Sequence, residues 1–125
     1  MIKIHTEKAP AAVGPYSQAI ISNGFVFTSG QIAINPVTNT VEADTIEAQT
    51  EQVMKNIGEV LKTAGSSFEK AIKTTCFLAD MNDFAAFNEI YGRYFTSLPA
   101  RSCVAVKTLP KNVLVEVEVI AESSL

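Results

Sequence analysis

The chain has 125 residues, of which 47% are hydrophobic and 18% charged, with a formal net charge of -3. That length fits one domain spanning residues 1–125, and the composition is that of a folded globular protein rather than a disordered chain. Ten Lys and Arg residues are spread without a cluster, so the chain lacks the cationic footprint of phosphate-backbone binding and nucleic acid is not expected as a partner.

Met1 to Pro15 mixes Lys3, Glu7 and Lys8 among its apolar residues and does not read as a secretory signal. The apolar runs are too short to span a bilayer, so a soluble, cytoplasmic protein without a membrane partner is expected. Cys76 and Cys103 lie far apart without CxxC spacing, which favours two small reduced thiols over a disulfide. A metal site would have to gather His5, both cysteines and a carboxylate from scattered positions. None has zinc-ligand spacing, and no metal is expected.

Asn23-Gly24 separates Ala19-Ile20-Ile21 from Val26-Phe27-Thr28, a strong hairpin signal. Asn35-Pro36 and Thr38-Asn39-Thr40 read as a loop. The first helix begins near Asp44, where Asp44 and Glu47 have the form of a capping box, and stops at Gly65. Ile46, Val53, Ile57, Val60, Leu61 and Ala64 share one face, while Glu47, Glu51, Lys55, Glu59 and Lys62 occupy the other.

Ala71 to Leu78 reads as a strand. Asn82 or Asp83 then caps a second helix, whose Phe84, Phe87, Ile90, Tyr91, Tyr94 and Phe95 form a core-packing stripe ended by Pro99. Two strands follow, Arg101 to Lys107 and Val113 to Ala121, joined by a turn through Leu109, Pro110, Lys111 and Asn112. The order is that of an α+β fold, most simply a sheet with two helices on one face. In the last strand Val113, Val115, Val117 and Val119 point one way, and Leu114, Glu116, Glu118 and Ile120 the other. That second face is half apolar and half acidic, which suits contact with another subunit.

Arg101 and Cys103 share a strand face. If the last two strands pair as a hairpin, that face can also hold Glu116 and Glu118, in a register the sequence does not fix. A structural cross-strand ion pair then competes with a functional site. Tyr16 in Gly14-Pro15-Tyr16-Ser17-Gln18 and the strand end Thr28-Ser29-Gly30-Gln31 are further candidates, because loops commonly carry function and glycine lets a ligand approach the backbone. Asn82-Asp83-Phe84, with Asn88 beyond, reads as a helix start.

Taken together, GPYSQ, TSGQ, KTTCFL, MNDF with Asn88, PARSC and VEVE resemble the reactive-intermediate deaminase family, RidA or YjgF, over nearly the whole chain. The resemblance implies a fold similar to a small trimeric chorismate mutase, three sheets forming a barrel with clefts between subunits. It also implies cofactor-free hydrolysis of 2-imino acids such as 2-iminopropanoate (2-aminoacrylate) and 2-iminobutanoate to 2-oxo acids and ammonia. Carried over by motif, Arg101 grips the substrate carboxylate, a charge-assisted contact contributing about 1.5–3 kcal/mol. Gly30 and Cys103 supply backbone contacts, and Glu116 holds or deprotonates the attacking water. Tyr16, Ser29 and Asn88 line the pocket, with Tyr16 assisting proton transfer. Cys103 is not needed as a nucleophile, since no histidine is placed to activate it. The stretch from Phe95 to Pro99 is slightly shorter than in many relatives, which bears on substrate range. Two other readings remain: an endoribonuclease or translation inhibitor, a label some members of the family carry, and a non-catalytic binder of small carboxylates.

Overall fold

In the computed structural model, which describes residues 1–125, Asn23 and Gly24 adopt φ of 53° and 81°. Two left-handed residues in succession make the tight turn whose twist matches its flanking strands. The turn joins β2 (Ala19–Ser22) to β3 (Phe25–Thr28), paired antiparallel from Ala19–Thr28 to Ser22–Phe25. An N-terminal strand that the sequence did not announce, β1 (Ile2–Ile4), adds to the outer edge of β2. The region read as a loop contains a two-residue hairpin, β4 (Ile34–Asn35) with β5 (Thr40–Val41), turned through Asn39 at φ 58°.

Helix α1 (Ile46–Thr63) buries Ile46, Val53, Met54, Ile57, Val60 and Leu61. Its cap differs from the expected Asp44–Glu47 box. Thr45 is the N-cap, and its hydroxyl accepts from the Ala48 amide at 3.1 Å. A β-branched hydroxyl one residue later satisfies the same orphan donor. Gly65, at φ 68°, ends the helix as expected. Strand β6 (Ala71–Leu78) follows, then a single turn at Met81–Asp83, and then α2 (Phe84–Tyr94). Here too the cap moves. Asp80 accepts from the Asn82 amide at 2.8 Å, whereas Asp83 makes no capping bond.

The last two strands, β7 (Ala100–Ala105) and β8 (Val115–Glu122), are not a hairpin. The six-stranded sheet runs β1-β2-β3-β8-β6-β7, with β7 parallel to β6 at the edge and β8 central between β3 and β6. Helix α2 carries the chain back over the sheet, so β6, α2 and β7 form a parallel strand–helix–strand unit. The segment between β7 and β8 then crosses β6. An all-valine face flanked by a half-apolar one belongs in the middle of a sheet, where both sides are covered by neighbours.

Both helices lie on one face. Val115, Val117 and Val119 of β8 join Cys76 and Leu78 of β6 and Val26 of β3 beneath them, in a core that also holds Phe87 and Phe95. Each fully buried aliphatic or aromatic side chain of this kind contributes about 1.5–3 kcal/mol. The other face is open and carries Phe25, Phe27, Ile120, Phe77 and Val104 with Glu116 and Glu118. No helix is long and apolar enough to cross a membrane.

Candidate active site

Strand register decides where Arg101 points. It stands beside Thr74, which pairs on its other side with Val119, so Arg101 lies on the helix-covered face. Its guanidinium sits over the Tyr91 ring at 4.8 Å and the Phe84 ring at 5.4 Å, and its Nη1 donates to Asn88 Oδ1 at 2.7 Å. Tyr91 is itself fixed by a 2.7 Å bond between its hydroxyl and Thr74 Oγ1. The aromatic stripe of α2 therefore serves as core and also as a cradle for a cation. The ion pairs of the chain join Arg93 to Glu51 and Glu89, so no carboxylate of its own chain neutralises Arg101.

Cys103 pairs directly with Cys76 on the same face. Burial pushes the Cys103 thiol up, opposed in part by the nearby Arg101 charge, and pushes Cys76 up to about 12. Both are thiols at neutral pH, the wrong state for a nucleophile.

Glu116 pairs with Phe77 and so lies on the opposite, open face. Between the Phe27–Ile120 pair and the Gln31–Val117 bridge, Thr28, Ser29 and Gly30 oppose only Glu118 and Val119. This is a β-bulge of the kind that re-aims side chains at sites. Thr28 Oγ1 fills the broken ladder by accepting from the Val119 amide at 3.0 Å. Gly30 forms the seat of the Glu116 carboxyl, for a Cβ there would stand 2.8 Å from Glu116 Cδ. Ser29 does not offer its hydroxyl proton to a pocket. It donates to the Ser17 carbonyl at 2.6 Å and ties down the loop that carries Tyr16.

Tyr16, Gly30 and Glu116 line one hollow with Gln31 and Lys111, whereas Asn88, Tyr91 and Arg101 line a separate cleft that also holds Leu98 and Pro99. Glu116 is raised above the ordinary carboxylate range, first by burial and then by the like charge of Glu118. The expected common face for Arg101, Cys103, Glu116 and Glu118 is thus corrected: the two basic and acidic groups occupy opposite faces of one sheet, because β6 separates their strands. A cross-strand ion pair within the chain is excluded by the same register. Sequence reasoning missed Tyr91 and Phe84 as supports of Arg101, Thr74 behind them, and Glu118 as the neighbour that tunes Glu116. The i, i+3 and i, i+7 spacing of Phe84, Asn88 and Tyr91 on one helix was the available signal.

Residues 6–123 match the family model described as Endoribonuclease L-PSP. A RutC family protein of Synechocystis is 56% identical over 121 residues, covering 94% of this chain and 93% of that protein. A mouse protein named 2-iminobutanoate/2-iminopropanoate deaminase is 47% identical over 119 residues, covering 94% and 88%. Among solved structures, a protein of the conserved Rid family, YyfA from Yersinia pestis, is 50% identical with a TM-score of 0.94, covering 97% and 98%. Match of the family model over nearly the whole chain, with relatives at this identity, establishes that the chain belongs to the RidA/YjgF family.

Proposed function

We propose that this protein hydrolyses 2-imino acids, 2-iminopropanoate and 2-iminobutanoate among them, to 2-oxo acids and ammonia, in a cleft between copies of the chain and without a cofactor. One observation carries the reading. Arg101 is a cation gripped by Asn88, Tyr91 and Phe84 yet left without a carboxylate of its own chain. A guanidinium oriented in advance and left unneutralised suits an incoming carboxylate, which it binds through its planar fork.

The second half of the chemistry needs a base beside a water. Glu116, on the far face, supplies it, and because one sheet separates the two groups, the reading brings Arg101 of one copy to Glu116 of another. The half-apolar open face favours such an assembly, and the family resemblance implies a trimer. Water adds through its oxygen to C2 of the iminium, and the C=N π pair moves to nitrogen. Glu116 takes a proton from the added water and hands it to that nitrogen. The carbonyl then forms as the hydroxyl proton leaves and the C–N bond breaks, releasing ammonia and a proton as ammonium. A carboxylate whose pKa lies above the usual range accepts and returns a proton more evenly than an ordinary one. Tyr16 assists proton transfer at the mouth, Ser29 holds the Tyr16 loop, and the Gly30 and Cys103 backbones contact the substrate.

The test is a dehydratase that generates 2-aminoacrylate, assayed for 2-oxo acid release with and without this protein. The parent accelerates release. Arg101→Ala abolishes the acceleration with the fold intact, and Arg101→Lys loses about tenfold or more, because an ammonium lacks the bidentate geometry. Full activity in both variants contradicts the assignment. Glu116→Ala separates enzyme from carboxylate binder, since it removes turnover and leaves binding.

A further inference from the structure

The hollow at Glu116 is larger than the chemistry of a methyl-bearing imine requires. It measures about 180 Å³ and opens at the end of the sheet where β3 leaves and β8 enters. Tyr16, Gly30 and Glu116 stand on one side of it, and Val13, Ile32, Ile34, Pro10 and Pro110 supply apolar wall. Gln18, also in the lining, presents no free amide. Its Oε1 accepts from the Thr6 amide at 2.7 Å, and its Nε2 donates to the Pro10 and Thr6 carbonyls at 2.8 and 3.0 Å.

We propose that this hollow receives the side chain of the imino acid and makes branched aliphatic and aromatic side chains the preferred substrate class; this rests on the imine-hydrolase reading above. An apolar cavity of about 150 Å³ is enough for a benzene ring. A methyl group leaves most of the space at Glu116 empty, and wall atoms facing a void lose their contacts. Each methylene that fills such a pocket changes kcat/KM by about tenfold or more. The location fits the reaction, because the carbon that Glu116 serves carries the side chain, and the hollow begins at Glu116. The carboxylate end is taken by Arg101 in the other cleft. One polar group competes for the role: Lys111, exposed at the rim with a left-handed φ of 56°, would favour an acidic side chain if it governed selection.

An amino-acid oxidase supplies imines from alanine, leucine, phenylalanine and glutamate, and semicarbazide captures what the protein leaves unhydrolysed. The leucine- and phenylalanine-derived imines are expected to exceed the alanine-derived one in kcat/KM by about tenfold or more. Val13→Trp and Ala11→Phe, at exposed positions where folding is not at stake, are expected to cut that ratio at least about fivefold by filling the hollow. A leucine-to-alanine ratio at or below one, a ratio untouched by both variants, or a glutamate-derived imine that outruns the apolar ones overturns the proposal while leaving the imine-hydrolase reading in place. No turnover of any imine overturns both.

Discussion

Glu116 and Glu118 project from alternate positions of β8 onto one face, and their like charges add to burial in holding Glu116 protonated to a higher pH than a free carboxylate. The sign of the consequence is fixed. The basic form of Glu116 is lost as pH falls through its raised value, so the acid limb of kcat/KM lies above the ordinary carboxylate range. Glu118→Gln removes one of the two causes and leaves burial, so the limb moves to lower pH; a pH–rate profile reads it directly. An acid limb that stays in place, or moves upward, means that Glu116 does not set it. Arg101 was legible as a residue through PARSC, and Glu116 through VEVE. Their surroundings were not, because the supports of Arg101 are Thr74, Phe84 and Tyr91, on a strand and a helix whose mutual register no local pattern encodes.

At the scale of elements, periodicity told most of the truth. The helix faces of α1 and α2, the strand over Ala71–Leu78 and the Asn23-Gly24 turn all stand where the pattern put them. Caps and pairings were harder. Several capping residues crowd the start of α1, and only the backbone angle chooses among them; the structure selects Thr45. Thr45→Ala is therefore expected to cost about 1 kcal/mol, a fall of about 3–6 °C in Tm, while Asp44→Ala and Glu47→Ala stay within about 0.5 kcal/mol. Thermal unfolding of the three variants checks the ordering, and an Asp44 loss larger than that of Thr45 restores the expected capping box. The hairpin expected of the last two strands failed for a reason visible in hindsight. A strand, a helix and a strand in succession favour a parallel crossover, and the alternation in β8 marks it as central rather than as the partner of its neighbour in sequence. The β-bulge at Thr28–Gly30 left only a Ser-Gly pair in the sequence, which is also what a plain turn leaves.

For the whole molecule, the decisive feature is that the carboxylate anchor and the base lie on opposite faces of one sheet. Neither half suffices alone, and the open face with Phe25, Phe27, Ile120 and Val104 offers apolar surface for another copy to cover. An assembly closed by symmetry then repeats the same Arg101-to-Glu116 meeting at every interface. The most direct measurement is complementation. Arg101→Ala and Glu116→Ala chains carrying different tags are co-expressed, purified as the mixed species through both tags in turn, and assayed for imine hydrolysis beside each inactive parent. If the site is shared, a Glu116→Ala chain still lends its arginine and an Arg101→Ala chain its glutamate, and random mixing restores on the order of a quarter of the sites. Activity in the doubly tagged species, absent from both parents, is the result this account predicts. Mixed assemblies as inactive as their parents would contradict it.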